Sequence, residues 1–454
     1  MRELLARGEI AVVGLGRSGV AVSRLLRNAG ARVYASDLGI APALLHEAAH
    51  LRELGVHAET GGHDLQRIAR AAAVVVSPGV PPNAAPVASA RAAGIQILSE
   101  VEVALEFLPS SKIIAVTGTN GKTTVTALVD HLLRALGHDS VAAGNIGLAL
   151  SEVALRGKAP AFVALELSSF QLHDTPGLRT AVGVLTNLAP DHLDRYSSLE
   201  AYYDDKMLLV RNATESSAWV TNVDDAELQR RMALVRGVHF TFSLHDHMAS
   251  AGPAQADGHW QLLGHELMAS ADLPLLGQHN VANVLAAALA VAAVLPITSD
   301  AQRSALVAGV RSFHALPHRL EISRTANGIV WINDSKATNV SSARVAIEAM
   351  TRPTILLLGG RHKGEPYTPL LDALLAHAKL VIAYGESAAL IESDLGGHVP
   401  LVRLGSSFED VMARARAAAE PGDAVLLSPA CSSYDMFDNY EQRGVRFRQL
   451  AEEM

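Results

Sequence analysis

The chain reads as an α/β protein of three domains built on parallel sheets, and three observations predict it. Short β-branched runs alternate with Ala/Leu-rich helical stretches along the whole sequence, the pattern of parallel strands covered by helices. With 454 residues it exceeds what a single core usually supports. Two glycine-rich turns, one beginning at Gly14 and one at Gly118, each follow an apolar run and open a helical one, the junction at which anions bind backbone N–H groups.

The first block, predicted over 1–100, has strands at 10–13, 32–35, 74–77 and 95–98, and a helix at 101–108 leads out of it. Gly14-Leu15-Gly16-Arg17-Ser18-Gly19 follows the first strand, and Asp37 ends the second, where it can accept from ribose hydroxyls. This is a Rossmann-like arrangement. Read alone it points to NAD, but a UDP pyrophosphate would use the same backbone, and a purely structural tight turn fits too.

The central block, predicted over 101–315, carries the stronger signal. Ile113 to Thr124 reads IIAVTGTNGKTT, an apolar strand that breaks into a turn ending Gly121-Lys122-Thr123, with an apolar helix at 125–136 after it. Backbone N–H groups of such a turn cradle phosphates, the lysine reaches the terminal ones, and the threonine hydroxyl suits Mg²⁺; ATP is the expected ligand. A complete P-loop carries a glycine five residues before Gly121, where this chain has Val116, with the extra glycine at Gly118. The block is therefore P-loop ATPase-like without matching most P-loop enzymes. Further strands are expected at 162–165 and 182–185, followed by an alanine-rich helix after His279. Glu166 and the pair Asp191-His192 end successive strands beside the phosphate turn, and a carboxylate with a histidine next to phosphates suits a divalent cation.

The third block, predicted over 316–454, is Rossmann-like. It opens with a hairpin at Asn327-Gly328 and has strands at 354–358, 380–383 and 424–427.

Several functions are excluded. The net charge is −8 with a pI near 6.2 and no basic run, so nucleic acid is not an expected partner. The longest apolar stretch, 284–295, is too short to span a bilayer, and charged residues open the N-terminus in place of a signal peptide. The expectation is a cytoplasmic protein, monomeric and without membrane contact. A single cysteine, Cys431, rules out an internal disulfide framework and reads as a buried thiol. His46-Glu47-Ala48-Ala49-His50 matches a zinc-peptidase pattern, but Leu44, Ala48 and Leu51 form the apolar stripe of that helix and leave both histidines on the solvated face.

Taken together, GTNGKTT, GNIG (Gly144 to Gly147), ELSSFQL (Glu166 to Leu172), DHLDRY (Asp191 to Tyr196), YYDDK ending at Lys206, GQHN (Gly277 to Asn280), LPHR, NDSKATN (Asn333 to Asn339) and the run from Leu426 to Gly444 resemble the Mur ligases, in order and across all three blocks. Within that family the closest likeness is to the type that adds glutamate. The resemblance implies an ATP-dependent amide ligase of peptidoglycan precursor synthesis, hence of cell-wall formation, cell shape and division. It would join glutamate, expected as the D isomer, to UDP-N-acetylmuramoyl-L-alanine through an acyl phosphate. It favours UDP over NAD in the first block.

Residue by residue, the likeness assigns Lys122, Glu166, His192 and Lys206 to catalysis. Mg²⁺, at two sites, would be held by Thr123, Glu166, His192 and Lys206, the last carbamylated by CO₂. ATP would meet Gly118, Thr119, Asn120, Gly121, Lys122, Thr123 and Thr124 in the turn, Asn280 and Asn283 near the adenine, and Arg319 and Asp334 from the link and third block. Leu15, Gly16, Arg17, Asp37 and Gly79 would line the uridine diphosphate end, with Asn145 and Gln171 facing the muramoyl group. Thr338, Lys363, Ser433 and Tyr440 would form the amino-acid pocket. The alternatives are a sister Mur ligase, a folate polyglutamate ligase lacking the first block, and a nicotinamide-dependent oxidoreductase using Gly14 to Asp37.

Overall fold

The structure, a computed structural model, describes residues 8–191, 196–254 and 258–453. It contains three α/β domains, each with its own sheet.

The N-terminal sheet comprises β1 (Glu9–Val13), β2 (Arg32–Asp37), β3 (His57–Thr60), β4 (Ala73–Val76) and β5 (Ile97–Ser99). All five are parallel, in the order β3-β2-β1-β4-β5. The chain reverses direction across the sheet between β1 and β4, which opens a crevice at their carboxyl ends. Helix Arg17–Asn28 packs Val22 and Leu26 onto the sheet, while Leu25 joins the core of the central domain. Strand β3 was not expected: its sequence, HAET, buries only Ala58 and has no apolar alternation long enough to read.

The central sheet comprises β6 (Lys112–Thr117), β7 (Ser140–Gly144), β8 (Phe162–Glu166), β9 (Val182–Leu185), β10 (Ala218–Asn222), β11 (Val238–Phe242), β12 (Ala251–Pro253), β13 (His259–Leu262) and β14 (His265–Ala269). Its order is β14-β13-β12-β11-β10-β9-β6-β8-β7. The seven strands from β7 to β12 are parallel, and β13 and β14 close one edge as an antiparallel hairpin. Register aligns Val116 with Glu166 and Thr117 with Leu185, so the phosphate turn, Glu166 and the chain leaving β9 emerge at the same edge. β6 lies in mid-sheet with its apolar residues from Ile114 to Val116 fully buried, which fixes the base of the turn.

The C-terminal sheet comprises β15 (Glu321–Ala326), β16 (Ile329–Asn333), β17 (Thr354–Gly359), β18 (Ala378–Tyr384), β19 (Leu401–Arg403) and β20 (Ala424–Leu427), in the order β15-β16-β20-β17-β18-β19. Only β15–β16 is antiparallel. It turns at Asn327 (φ 52°) and Gly328 (φ 77°), the left-handed pair that a two-residue hairpin requires.

By compactness the chain forms two units. One contains residues 1–270 and 282–310, with the first two sheets; the other contains 271–281 and 311–454. Helix Gln278–Val294 contributes residues to both.

Candidate active site

In the first unit, the phosphate turn is shaped by two glycines. Gly118 has φ 140°, and a Cβ there would collide with the Thr186 hydroxyl; Gly121 has φ 82° and caps helix Lys122–Ala135 at its N-terminus. Both backbone conformations are strained for side-chain-bearing residues. The turn is buttressed by the segment leaving β9. Asn120 N–H donates to Asn187 Oδ1 (2.9 Å), Thr186 Oγ1 donates to the Asn120 carbonyl (2.6 Å), and Thr119 N–H donates to the Asn187 carbonyl (2.9 Å). The Thr119 hydroxyl bonds both the carbonyl (3.0 Å) and the N–H (3.0 Å) of Ala189. Thr186 and Asn187 are structural partners of the turn that sequence reasoning did not single out; the only signal was their place right after a buried strand.

Two lysines converge on this turn. Lys122 Nζ donates to the Thr119 carbonyl (2.8 Å), and Lys206 Nζ donates to that of Gly118 (2.7 Å) while lying 4.5 Å over the Tyr202 ring. Lys206 is 2% exposed. Burial, and then the Lys122 charge, push its pKa well below the ordinary lysine value, against the opposing pull of Asp191 and Glu166. Tyr202 Oη also reaches Thr119 Oγ1 (3.4 Å).

Glu166, at the end of β8, is 1% exposed. Its Oε1 accepts from Asn145 Nδ2 (2.8 Å), and Asn145 N–H donates to the Glu166 carbonyl (3.0 Å). Its Oε2 is buried without a hydrogen-bond partner among the described residues. A buried carboxylate oxygen left unpaired is costly, and a cation would satisfy it. Among the described residues no three His, Cys, Asp or Glu side chains gather as a ligand cluster; the expected ligand His192 lies outside the described residues. Thr123 and Thr124 occupy the first turn of the helix, as the spacing predicts, and buried Asn283 places Oδ1 against Gly121.

At the N-terminal crevice the Asp37 carboxylate has a role beyond the expected one. Its Oδ2 accepts from Leu15 N–H (2.7 Å) and its Oδ1 from Gly39 N–H (2.7 Å), so it braces the glycine turn. Gly14 (φ 94°) lies so close to Ser77 that a Cβ would sit 2.8 Å from that side chain. Gly16 and Gly79, by contrast, face open space, and Arg17 is exposed at the start of its helix. Gln171 forms a capping box with Ser168, accepting from its N–H and hydroxyl at 3.0 Å each. It also lines a cavity of about 240 Å³ between the end of β4 and helix Ser169–His173. On helix Pro42–Glu53, Ala48 and Leu51 are fully buried while His46 and His50 are exposed, as the rejection of a zinc site required.

In the second unit, Asp334 is buried, accepting from Leu320 N–H (3.2 Å) and Ser428 Oγ (2.8 Å), and burial pushes its pKa up to about 7. Arg319 lies at the tight Leu316–Arg319 bend, and its charge opposes that rise. Asn280 donates to the Leu276 carbonyl (2.7 Å). Lys363 is exposed, and its Nζ lies 3.4 Å from Thr338 Oγ1. Ser433 is buried, and Tyr440 opens helix Tyr440–Glu452, its hydroxyl accepting from Lys336 Nζ (2.8 Å). Arg443, 1% exposed, ties the two motifs together by donating to Ser335 Oγ (2.9 Å), the Ser335 carbonyl (2.8 Å) and the Cys431 carbonyl (3.1 Å). Neither Lys336 nor Arg443 was expected. Cys431 is a buried thiol beside Tyr367 Oη (2.9 Å), with its pKa raised by burial.

A phosphate turn with a buried carboxylate and two lysines beside it, in a chain that also carries a crevice-bearing Rossmann-like sheet and a third α/β domain, defines an ATP-using enzyme of a recognisable kind. Three family models match in chain order: the Mur ligase MurD-like N-terminal domain (residues 8–99), the Mur ligase middle domain (116–291) and the Mur ligase glutamate ligase domain (318–431). The chain belongs to the Mur ligase family. It is 40% identical over 459 residues to a UDP-N-acetylmuramoylalanine–D-glutamate ligase of Salinibacter ruber, covering 98% of each chain. It is 39% identical to the protein of the same name from Acidobacterium capsulatum, covering 97% of this chain and 95% of that one. Among solved structures it shares its fold with UDP-N-acetylmuramate–alanine ligase of Thermotoga maritima (TM-score 0.62, 19% identity, 98% and 99% covered). It likewise shares the fold of the MurF ligase of the same organism in complex with ADP (TM-score 0.61, 17% identity, full coverage of both).

Proposed function

We propose that this protein joins D-glutamate to UDP-N-acetylmuramoyl-L-alanine at the expense of ATP, in the cytoplasm, as a step in peptidoglycan precursor synthesis. The observation that carries the reading is the convergence of Lys122, Lys206 and Glu166 on one phosphate turn. The D configuration of the acceptor rests on the names of the relatives, since D and L isomers present the same charges to a pocket.

In this reading residues 1–100 bind the uridine diphosphate end through Leu15, Gly16, Arg17, Asp37 and Gly79. Residues 101–315 bind ATP, and residues 316–454 bring the glutamate pocket of Thr338, Lys363, Ser433 and Tyr440. A carboxylate oxygen of the muramoyl-alanine attacks the γ-phosphorus and ADP leaves. The glutamate amine then attacks the acyl carbon, loses a proton, and phosphate departs with the former carboxylate oxygen. The Lys122 ammonium stands ready for the charge that builds up on the transferring group, on a turn whose Thr119 and Asn120 N–H groups are held by Asn187, which is electrostatic preorganisation. Asn145 holds Glu166 in place and faces the muramoyl substrate with Gln171. Asn280, Asn283, Arg319 and Asp334 serve the nucleotide.

The unpaired Glu166 Oε2 fits a cation, so Thr123, Glu166, His192 and Lys206 would hold Mg²⁺ at two sites. Mg²⁺ supplies neutralisation of the phosphate oxygens when bound. For Lys206 to take part as a ligand it must be anionic. Its buried, charge-disfavoured amine is suited to react with CO₂, forming an N–C bond and releasing a proton to give a carbamate. A monomer is expected, and light scattering checks it. The test of the function is ADP release with each component omitted in turn. Turnover needs UDP-N-acetylmuramoyl-L-alanine, D-glutamate and ATP together; activity with L-glutamate alone, or a nicotinamide-dependent absorbance change, defeats the proposal.

A further inference from the structure

We infer that Asp205 is a positioning residue: by holding Tyr196 it fixes one wall of the cavity that Gln171 lines, and ties that wall to the helix bearing Lys206. This rests on the functional reading above and extends it to residues outside the phosphate turn.

Helix Leu199–Met207 presents two neighbouring side chains to different places, because successive residues on a helix point about 100° apart. Lys206 turns to the Gly118 carbonyl. Asp205 turns to the cavity, where its Oδ2 accepts from Tyr196 Oη (3.0 Å) and its Oδ1 pairs with His173 Nδ1 (3.0 Å). The Tyr196 ring stacks on Phe170 (centroids 5.2 Å, planes 15° apart) and meets the Tyr202 ring at 5.3 Å. Tyr202 is the ring over which Lys206 Nζ lies. A single carboxylate, with 20% of its side chain exposed, thus joins three motifs: His173 at the end of ELSSFQLH, Tyr196 at the end of DHLDRY, and Lys206 at the end of YYDDK. Both of its oxygens are committed, and phenol-to-carboxylate bonds are among the stronger hydrogen bonds. The wall that meets the muramoyl substrate and the lysine beside the phosphates are therefore held in one register, and a shift of one is a shift of both.

The test is steady-state kinetics on Asp205→Ala, Tyr196→Phe, the double variant and Asp205→Asn. Misplacement of reacting groups by about an ångström costs on the order of a hundredfold. Each single variant should accordingly lose about tenfold to a hundredfold in kcat/KM for UDP-N-acetylmuramoyl-L-alanine, with the KM for ATP within about twofold of wild type. The double variant should be no worse than the poorer single one, since both remove the same bond. Asp205→Asn, which keeps an acceptor for Tyr196, should recover most of the loss. Additive losses, equal rises in the KM for both substrates, or activity within about twofold of wild type in Tyr196→Phe would overturn the assignment. Tyr196→Phe removes only a hydroxyl, so it reads the role even where Asp205→Ala fails to fold. Wild-type protein that does not turn over overturns the functional reading itself, and the positioning role with it; an active wild type with unaffected variants overturns only the latter.

Discussion

Substituting Lys206 separates chemistry from stability. The side chain is 2% exposed, and its ammonium is disfavoured by burial and by Lys122, so its charge is no asset to the fold. Lys206→Met keeps the buried stem and removes only the amine; the expected result is an unchanged or raised Tm. Lys206→Ala removes three buried methylenes, at about 0.8 kcal/mol each. That loss of about 2–3 kcal/mol corresponds to a Tm lower by roughly 5–10 °C for a domain of this size. Both variants should lose activity on the order of a hundredfold to a thousandfold, because each removes the proposed anionic ligand of the cation that would neutralise the transferring group. The assay is phosphate release at saturating substrates, beside a thermal melt of the same preparations. Acetate added to Lys206→Ala should restore part of the rate by supplying a carboxylate in place of the proposed carbamate, and Lys206→Met, whose side chain fills that space, should not respond. A Lys206→Met enzyme with near-normal turnover would refute the catalytic role. An unmodified Lys206 ammonium in a crystal structure with bound Mg²⁺ would count directly against the carbamate.

Three further outcomes are expected. Lys122→Ala should fold and lose about a hundredfold to a thousandfold in kcat, and turnover within a few-fold of wild type would remove the phosphate-turn assignment. Lys363→Ala should raise the KM for glutamate far more than that for ATP, because only the amino acid meets the changed charge; equal rises would mean general damage. Glu100 is buried at the start of helix Glu100–Leu105, accepting from Ser151 N–H, and burial pushes its pKa up to about 7 from 4.5. Between those values the folded state holds a proton that the unfolded chain has released, so stability falls as pH rises, by about 3 kcal/mol in all. Glu100→Gln should flatten that slope in urea unfolding measured at pH 5 and pH 7.5; an unchanged slope would assign it to other groups.

What the sequence made legible was local. Gly118 and Gly121 are read from the chain because a strand, a tight turn and a helix are consecutive, and Glu166 because it ends a fully apolar strand. The hairpin at Asn327-Gly328 was legible for the same reason. What stayed hidden depends on partners far apart in the chain. The Thr186 and Asn187 buttress joins residues about 67 positions away, and Arg443 reaches Ser335 across 108. Nothing in the neighbourhood of Asp37 announces that both its oxygens brace turns, although its position as a candidate was readable. Strands β10 to β14 were missed because they are short or carry polar residues: β11 (VHFTF) buries only Phe242, and β13 (HWQL) only Leu262. The β13–β14 hairpin turns at Leu263-Gly264, and a leucine with φ 50° gives no turn signal.

If an acyl phosphate links ATP cleavage to amide formation, an oxygen atom passes from the muramoyl-alanine carboxylate to phosphate. UDP-N-acetylmuramoyl-L-alanine labelled with ¹⁸O in its free carboxylate is turned over with ATP and D-glutamate, and the released phosphate is analysed by mass spectrometry or by its ³¹P isotope shift. Each phosphate should carry one ¹⁸O atom, brought there when the amine displaces it from the acyl carbon. Phosphate free of label, from an enzyme that makes the amide at full rate, would contradict the acyl phosphate.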